Sequence, residues 1–281
     1  MIYIKIKESQ VDKKISVIMG IYNCSDTLEE AINSILNQSY KNWELIMCDD
    51  ASTDKTYEIA KKYEQIYPEK IKLIKNKKNL TLGPTLNRCL EIVSGDYIAR
   101  QDGDDLSHEL RFEKQVKFLE ENKKYDLVGT NMYSYDGTKI LGVRKNNLEI
   151  PKKTDLVKCV PFYHATILIK KKCFDNLNGY SLKKTRRRLE DIDLWFRFFE
   201  KGYRGYNLQE ALYYVREDGS QYKRRNFKNY LNATITCIVG AKNLNLPWTY
   251  YLYSLSIVLK YFVPIYFKKK YHERTVEVTN A

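Results

Sequence analysis

The sequence predicts an α/β fold: a mostly parallel sheet flanked by helices, followed by a C-terminal helical appendage. Three observations carry this. Short apolar runs and amphipathic stretches alternate through the first hundred residues. The runs are continuous rather than every-other-residue, as strands covered on both faces require. Beyond about residue 220 the pattern turns helical again.

Ile15 to Ile21 (ISVIMGI) reads as the first strand. Ser25 and Asp26 are placed to cap a helix whose apolar positions Leu28, Ala31, Ile32, Ile35 and Leu36 recur at helical spacing. Trp43 to Cys48 is the second strand, Asp54 to Tyr67 the second helix and Ile71 to Ile74 the third strand. A helix then opens at Gly83-Pro84, where proline suits a first turn, and Asp96 to Arg100 forms a fourth strand. From about Asp126 the strands are less regular, among them Leu127 to Tyr135 and Ala165 to Lys170. An amphipathic helix is expected over about Glu190 to Lys201.

The chain of 281 residues can bury a sizeable core, and 43% hydrophobic content excludes wholesale disorder. Its six cysteines (Cys24, Cys48, Cys89, Cys159, Cys173 and Cys237) form no CxxC pair and have no histidine at ligand spacing. That argues against zinc and a disulfide framework, and for a reducing cytosol. The opening MIYIKIKESQVDKK lacks the apolar centre of a secretory signal and reads as a short strand with polar flanks. A net charge of +13 suits nucleic acid, anionic lipid or phosphorylated substrates. No nucleic-acid module accompanies it, so no nucleic-acid partner is expected.

Ligands of such sheets bind outside the carboxyl ends of the strands, and two acidic clusters fall there. Asp49 and Asp50 follow the second strand, and Asp102, Asp104 and Asp105 follow the fourth. Carboxylates at i and i+2 on a loop can aim oxygens at one hard cation such as Mg²⁺ or Mn²⁺, and Gly103 between them lets the backbone approach a ligand. A DxD alone arises readily by chance in charged loops.

Three longer segments give it context: ISVIMGIYNCSDTLEEAINSILNQSYKNWELIMCDDASTDKT, GPTLNRCLEIVSGDYIARQDGDD and LEDIDLWFR. With these, the chain resembles the family 2 glycosyltransferases of the GT-A fold along about its first 220 residues. The resemblance implies inverting transfer from a UDP- or dTDP-sugar, assisted by Mn²⁺ or Mg²⁺. It places Ile21, Tyr22 and Asn23 at the base-binding edge, with Tyr22 stacked on a pyrimidine and Asp50 accepting from its N3–H. A carboxylate suits uracil or thymine there, since N3 of cytosine is itself an acceptor. Asp49 ranks below Asp50, because it can simply cap the turn into Ala51-Ser52-Thr53. In the metal motif Asp104 ranks first as direct ligand, Asp102 contacts ribose or water around the ion, and Asp105 is a helix cap or supporting group. Asn87 and Arg100 match family positions that brace the donor loop, with an ordinary structural role as the equal alternative for each. Asp191 matches the base that deprotonates the acceptor hydroxyl. The alternative for Asp191 is an acid favoured by the helix N-terminus. His164 sits where the family often has a His or small polar group that contacts the acceptor or diphosphate, but a satisfied core or strand-end histidine ranks above that reading. Arg216 matches a phosphate-holding position without its usual histidine neighbour.

The resemblance divides the chain into a catalytic domain over 1–220, with a nucleotide half at about 12–105 and an acceptor half at about 106–220, and a helical region over 221–281. PWTYYLYSLSIVLKYFVPIYF followed by KKKYHER is too apolar for an ordinary exposed helix, while Lys260 and Pro264 interrupt a spanning one. Its aromatics and lysines suit an anionic membrane surface, with packing on the catalytic domain or on another subunit as the second option and true spanning as the third. The basic runs at Lys183-Lys184, Arg186 to Arg188 and Lys223 to Arg225 read as solvated surface. The expected partners are therefore a nucleotide-sugar, a glycan or lipid-linked acceptor and the inner face of the cell membrane. Two rival classes stay open: a sugar nucleotidyltransferase, which would normally carry a Gly-rich phosphate loop where this chain has IYNCSD, and a catalytically weak polyanion- or membrane-binding relative.

Overall fold

Strand β1 (Ile15–Ile21) is apolar at nearly every position because both its faces are covered. Ile15, Val17, Met19 and Ile21 point into one core cluster and Ile18 into the other, the two-residue alternation of a pleated strand. The computed structural model describes residues 13–217 and 226–264. β1 pairs in parallel with β2 (Trp43–Asp49) and β4 (Tyr97–Arg100), and β2 with β3 (Ile71–Lys75). Helices α1 (Leu28–Leu36), α2 (Thr56–Ile66) and α3 (Leu82–Leu90) make the crossovers.

Parallel order holds for these first hundred residues, and the rest of the sheet is mixed. The remaining strands are β5 (Leu106–Ser107), β6 (Leu127–Tyr135), β7 (Ile140–Arg144), β8 (Leu168–Lys170) and β9 (Gly205–Arg216). The order is β3-β2-β1-β4-β8-β6-β9-β5, with β7 as a hairpin on β6. β8 runs antiparallel between β4 and β6, whereas β6 and β9 are parallel. The cluster holding Ile18 lies under α3, α5 (Lys171–Leu177), α6 (Glu190–Glu200) and α7 (Phe227–Asn243); the one holding Ile15 lies under α1, α2 and α4 (Arg111–Glu121). A last helix, α8 (Thr249–Leu259), completes the described chain.

Several local expectations are corrected. Thr27, not Ser25 or Asp26, precedes α1, and its side chain makes no cap bond. The backbone N–H of Ser25 instead donates to Asp54 Oδ2 (3.1 Å), which ties the β1 and β2 exit loops together. Arg186 is not solvated: it is buried, bonded to Asp193 Oδ1 (2.9 Å) and Thr236 Oγ1 (2.7 Å), and so clamps α6 to α7. The expected strand in the opening residues and the Lys223 to Arg225 run lie outside the described residues.

Candidate active site

The parallel register brings the exits of β1, β2 and β4 to one edge: Ile21 lies opposite Asp49, and Ile18 opposite Arg100. Ile21 is buried, whereas Tyr22 just beyond it is 48% exposed, so its ring is open to a ligand. Asn23 takes positive φ (48°), a conformation asparagine tolerates. Its Oδ1 accepts from the Thr53 backbone (2.9 Å), and its own N–H donates to Ser52 Oγ (3.1 Å). Asp49 accepts from Ser52 N (3.3 Å) and caps that turn.

Asp50 does more than the sequence discloses. Oδ1 accepts from Asn76 Nδ2 and Leu80 N (both 2.8 Å), and Oδ2 accepts from Thr81 N (2.9 Å). One buried carboxylate thus fixes the loop between β3 and α3. Thr81 there has φ 74°, ψ 169°, a region essentially reserved for glycine.

After β4, Asp102, Asp104 and Asp105 place ligand oxygens within 4.8 Å of one another. The loop is shaped by Gln101, whose buried amide donates to the carbonyls of Asp102 (3.1 Å) and Asp105 (2.8 Å). Gly103 is needed for a contact other than the expected ligand: a Cβ would lie 2.9 Å from Cys24 Sγ and 3.2 Å from Ile21, so the loop packs directly on the β1 exit. Arg100 forks onto both oxygens of Asp102 (Nη1 to Oδ2, 2.6 Å; Nη2 to Oδ1), a bidentate pair that fixes the carboxylate plane. Asp105 caps no helix. It is buried under the other two, accepts from the Arg216 N–H (2.8 Å), and is pushed well up from the usual carboxylate range by burial and then by Asp102 and Asp104. Three carboxylates in so small a volume repel one another, and an all-oxygen set of this kind suits a hard divalent cation. Asp104 is the exposed member. Arg216 reaches the same loop, its Nε donating to the Asp104 carbonyl (3.1 Å), and it pairs with Glu30.

On the facing side, α6 opens with Glu190 and Asp191. Glu190 is buried and its carboxyl is raised, mainly by that burial and further by Asp191; Asp191 is the more open of the two. Tyr180 lies between the two sides, within the fields of Arg100, Asp102, Asp191 and Glu190. His164 bonds the Tyr180 hydroxyl (2.8 Å) and is held neutral by burial and by nearby Arg100, which makes it the satisfied histidine of the two options. Asn87 bonds both the N–H and the carbonyl of Tyr180, a structural contact to the turn before α6 rather than to a donor loop. Sequence reasoning missed Arg111, a buried cation on the carbonyls of Arg100 (2.9 Å), Ala165 and Ile167 (both 3.2 Å). It also missed Gln101 and Tyr180. A cavity of about 360 Å³ lined by Lys124, Tyr203 and Arg204 lies at the opposite end of β9 from the carboxylates.

The sequence profile "Glycosyl transferase family 2" matches residues 16–178. The chain is also 50% identical over 263 residues to EpsE of Bacillus subtilis (strain 168), which carries a glycosyltransferase name, across 94% of each chain. The chain belongs to glycosyltransferase family 2. Another relative is a UDP-Glc:α-D-GlcNAc-diphosphoundecaprenol β-1,3-glucosyltransferase, WfaP of Escherichia coli, 28% identical over 88% of this chain and 95% of that one. Among solved structures, residues 1–349 of S. aureus TarS in complex with UDP-GlcNAc superpose with a TM-score of 0.66 at 19% identity, over 88% of this chain and 71% of that one. The fold of this family 2 glycosyltransferase is therefore GT-A, as the three sequence segments implied.

Proposed function

We propose that this glycosyltransferase moves a sugar, with inversion, from a UDP-sugar or dTDP-sugar onto a lipid-linked or glycan acceptor in the building of a surface polysaccharide or glycoconjugate. The observation that carries the reading is the packing of the Asp102-Gly103-Asp104-Asp105 loop on the β1 exit that bears Tyr22. In this reading Tyr22 stacks on the pyrimidine, and Ile21 and Asn23 shape the edge. Asp50 accepts from N3–H: a carboxylate offers about four acceptor positions, and three protein donors use Asp50. Asp104 is the direct ligand for Mn²⁺ or Mg²⁺, and Asp102, oriented by Arg100, contacts ribose or the ion's water. When bound, such a cation offsets charge on the departing diphosphate. Arg216 adds a positive group at the same loop.

Asp191 takes the proton of the acceptor hydroxyl as its oxygen bonds to C1 of the sugar and the C1–O bond to the diphosphate breaks on the opposite face. Neighbouring Glu190 is a poorer candidate because its carboxyl is buried. UDP is favoured over dTDP by the names of the glucosyltransferase relative and of the TarS complex, and a lipid-linked acceptor by the former. An acceptor of this kind calls for a peripheral position at the inner face of the cell membrane, with α7 and α8 as the contact. The test is a panel of nucleotide-sugars screened for donor hydrolysis with Mn²⁺, with Mg²⁺ and with chelator. Hydrolysis of a UDP-sugar that chelator abolishes is the expected result, and full activity in excess chelator overturns the metal assignment.

A further inference from the structure

Helices α7 and α8 pack as a hairpin, and each presents an apolar stripe to the outside. On α7 the stripe is Phe227, Leu231, Ile235 and Val239, spaced by four residues and each 41–44% exposed. The opposite side, with Ala233, Cys237, Gly240 and Ala241, is buried on the protein. On α8 and its flanks the stripe is Trp248, Leu252, Leu255, Leu259 and Phe262, 48–70% exposed, while Ser254 faces inward. The stripes meet at one end, where the Phe227 ring lies 5.3 Å from Tyr261 and 6.5 Å from Phe262. Single exposed apolar residues need no explanation, but two aligned stripes on neighbouring helices mark an interaction surface.

We propose that this face lies on a lipid surface bearing anionic headgroups, which deepens the reading of a lipid-linked acceptor and rests on it only for the purpose of the contact. Charge decides among the occupants. Between residues 226 and 264 the sequence has no aspartate or glutamate, and its charged residues are Lys228, Lys242 and Lys260. Lys228 lies in the first turn of α7, Lys242 in its last, and Lys260 just after α8. Lysines at helix ends can extend to headgroups while the apolar side chains enter the acyl boundary. A two-fold dimer through the same patch would set these lysines against their own copies with no carboxylate of the segment to pair them. No described helix is long and apolar enough to cross a membrane, so the contact is one of lying on the surface.

The hairpin is joined to the chemistry. Gly240 meets the Phe196 ring so closely that a Cβ would fall 2.2 Å from it, and Arg186 bridges Thr236 on α7 to Asp193 on α6. α6 is the helix that opens with Asp191. A bilayer under α7 and α8 thus sets the height of the acceptor side above the lipid.

The test uses the full chain with vesicles of phosphatidylcholine and phosphatidylglycerol in equal parts, at about 0.1 M salt. Wild type should co-sediment, less so on pure phosphatidylcholine or at about 1 M salt. Leu252→Glu/Leu255→Glu and Ile235→Glu should each reduce binding by about tenfold or more, with unchanged Tm and donor hydrolysis. Leu252→Phe/Leu255→Phe should retain binding. Equal binding by wild type and the glutamate variants overturns the proposal. So does a solution dimer, without vesicle binding, that Leu252→Glu/Leu255→Glu dissolves, and so does vesicle binding that appears only once residues 265–281 are removed. Absence of donor hydrolysis with vesicle binding intact counts against the catalytic reading and leaves the lipid face standing.

Discussion

Replacing Asp50 with asparagine should damage the fold and the donor site together, and the size of the first effect follows from the structure. The carboxylate is 4% exposed and accepts three hydrogen bonds, from Asn76 Nδ2, Leu80 N and Thr81 N. An asparagine placed to keep the first two presents its NH₂ to the Thr81 N–H, donor against donor. One charge-assisted bond is lost, about 1.5 to 3 kcal/mol, and the stranded N–H adds about 1 to 3 kcal/mol. Thr81 sits at φ 74° and ψ 169°, where a β-branched residue persists only when its surroundings hold it. Release of that conformation returns part of the cost, so a net loss of roughly 3 kcal/mol is reasonable. In a chain of this size that lowers Tm by roughly 6 to 12 °C. Differential scanning calorimetry and donor kinetics read the two effects apart: Tm falls, and donor KM rises while kcat at saturation changes less. A Tm within about 1 °C of wild type would refute the anchoring argument, whatever happens to KM.

Asp191→Asn should lower transfer by about 10² to 10⁴-fold in kcat with donor KM nearly unchanged, the pattern of a lost general base; near wild-type transfer alongside a dead Glu190→Gln would reassign the base. Asp104→Ala should abolish Mn²⁺-dependent enhancement of UDP binding in calorimetry, and an unchanged enhancement would move the cation elsewhere. Glu44 is buried at the other end of the strands from the carboxylate cluster, and although burial raises its carboxyl, hydrogen bonds from Lys72, Ser16 and Ser94 hold it down to about 2. A depressed carboxyl stabilises the fold above its unfolded value near 4.5 and loses that contribution as pH falls toward 2, a contribution of about 2 to 3 kcal/mol. Glu44→Gln should therefore lower Tm at neutral pH, with the gap to wild type closing below about pH 4; a gap independent of pH would show that the charge is not what matters.

What the sequence discloses follows the range of the interactions. β1 and β2 are found within about a residue because strands buried on both faces are largely apolar. β3, part-exposed at the sheet edge, and β6, with polar residues along it, are found as closely from their β-branched and aromatic residues. The start of α6 is equally plain. The pairing of Leu106 with Tyr214 joins a two-residue strand to a partner over a hundred positions away, and nothing in LS alone announces it. Arg186 looked like one of a solvated basic run because its partners Asp193 and Thr236 are 7 and 50 residues distant. The Arg100–Asp102 fork was within reach: residues at i and i+2 leaving a strand share a face, so an arginine there predicts a paired carboxylate. Asp50 is the instructive case. Its acidity and position at the strand edge point to a ligand, yet its three protein partners come from a loop that only the fold brings back.

The β2–β4 exits and the start of α6 must lie at fixed spacing for such a site to act, since misplacement by about 1 Å can cost about 10²-fold in rate. The two parts share one continuous sheet, through the β4–β8 pairing, and one core cluster, and short-range polar contacts add to that frame at the junction. Asn87 on α3 accepts from Tyr180 N (2.7 Å) and donates to Tyr180 O (2.8 Å), so one side-chain amide stands in for a strand partner. The approach works because residue 179 is glycine: φ is 65°, and a Cβ would lie 2.5 Å from Asn87 Oδ1. Tyr180 also bonds His164, and Arg100, whose charge acts on both, separately holds Asp102. Arg197 then ties α6 to the same turn, donating to the carbonyls of Leu177 (2.7 Å) and Gly179 (2.9 Å) while its Nε holds Asp193. The turn 177–180 is thus bonded both to α3 and to the helix bearing Asp191, beside the direct contact of the two helices at Gly83, where a Cβ would lie 2.9 Å from Glu190. Short hydrogen bonds of demanding geometry tolerate little drift, so these polar residues sharpen a register that the shared sheet and core already set.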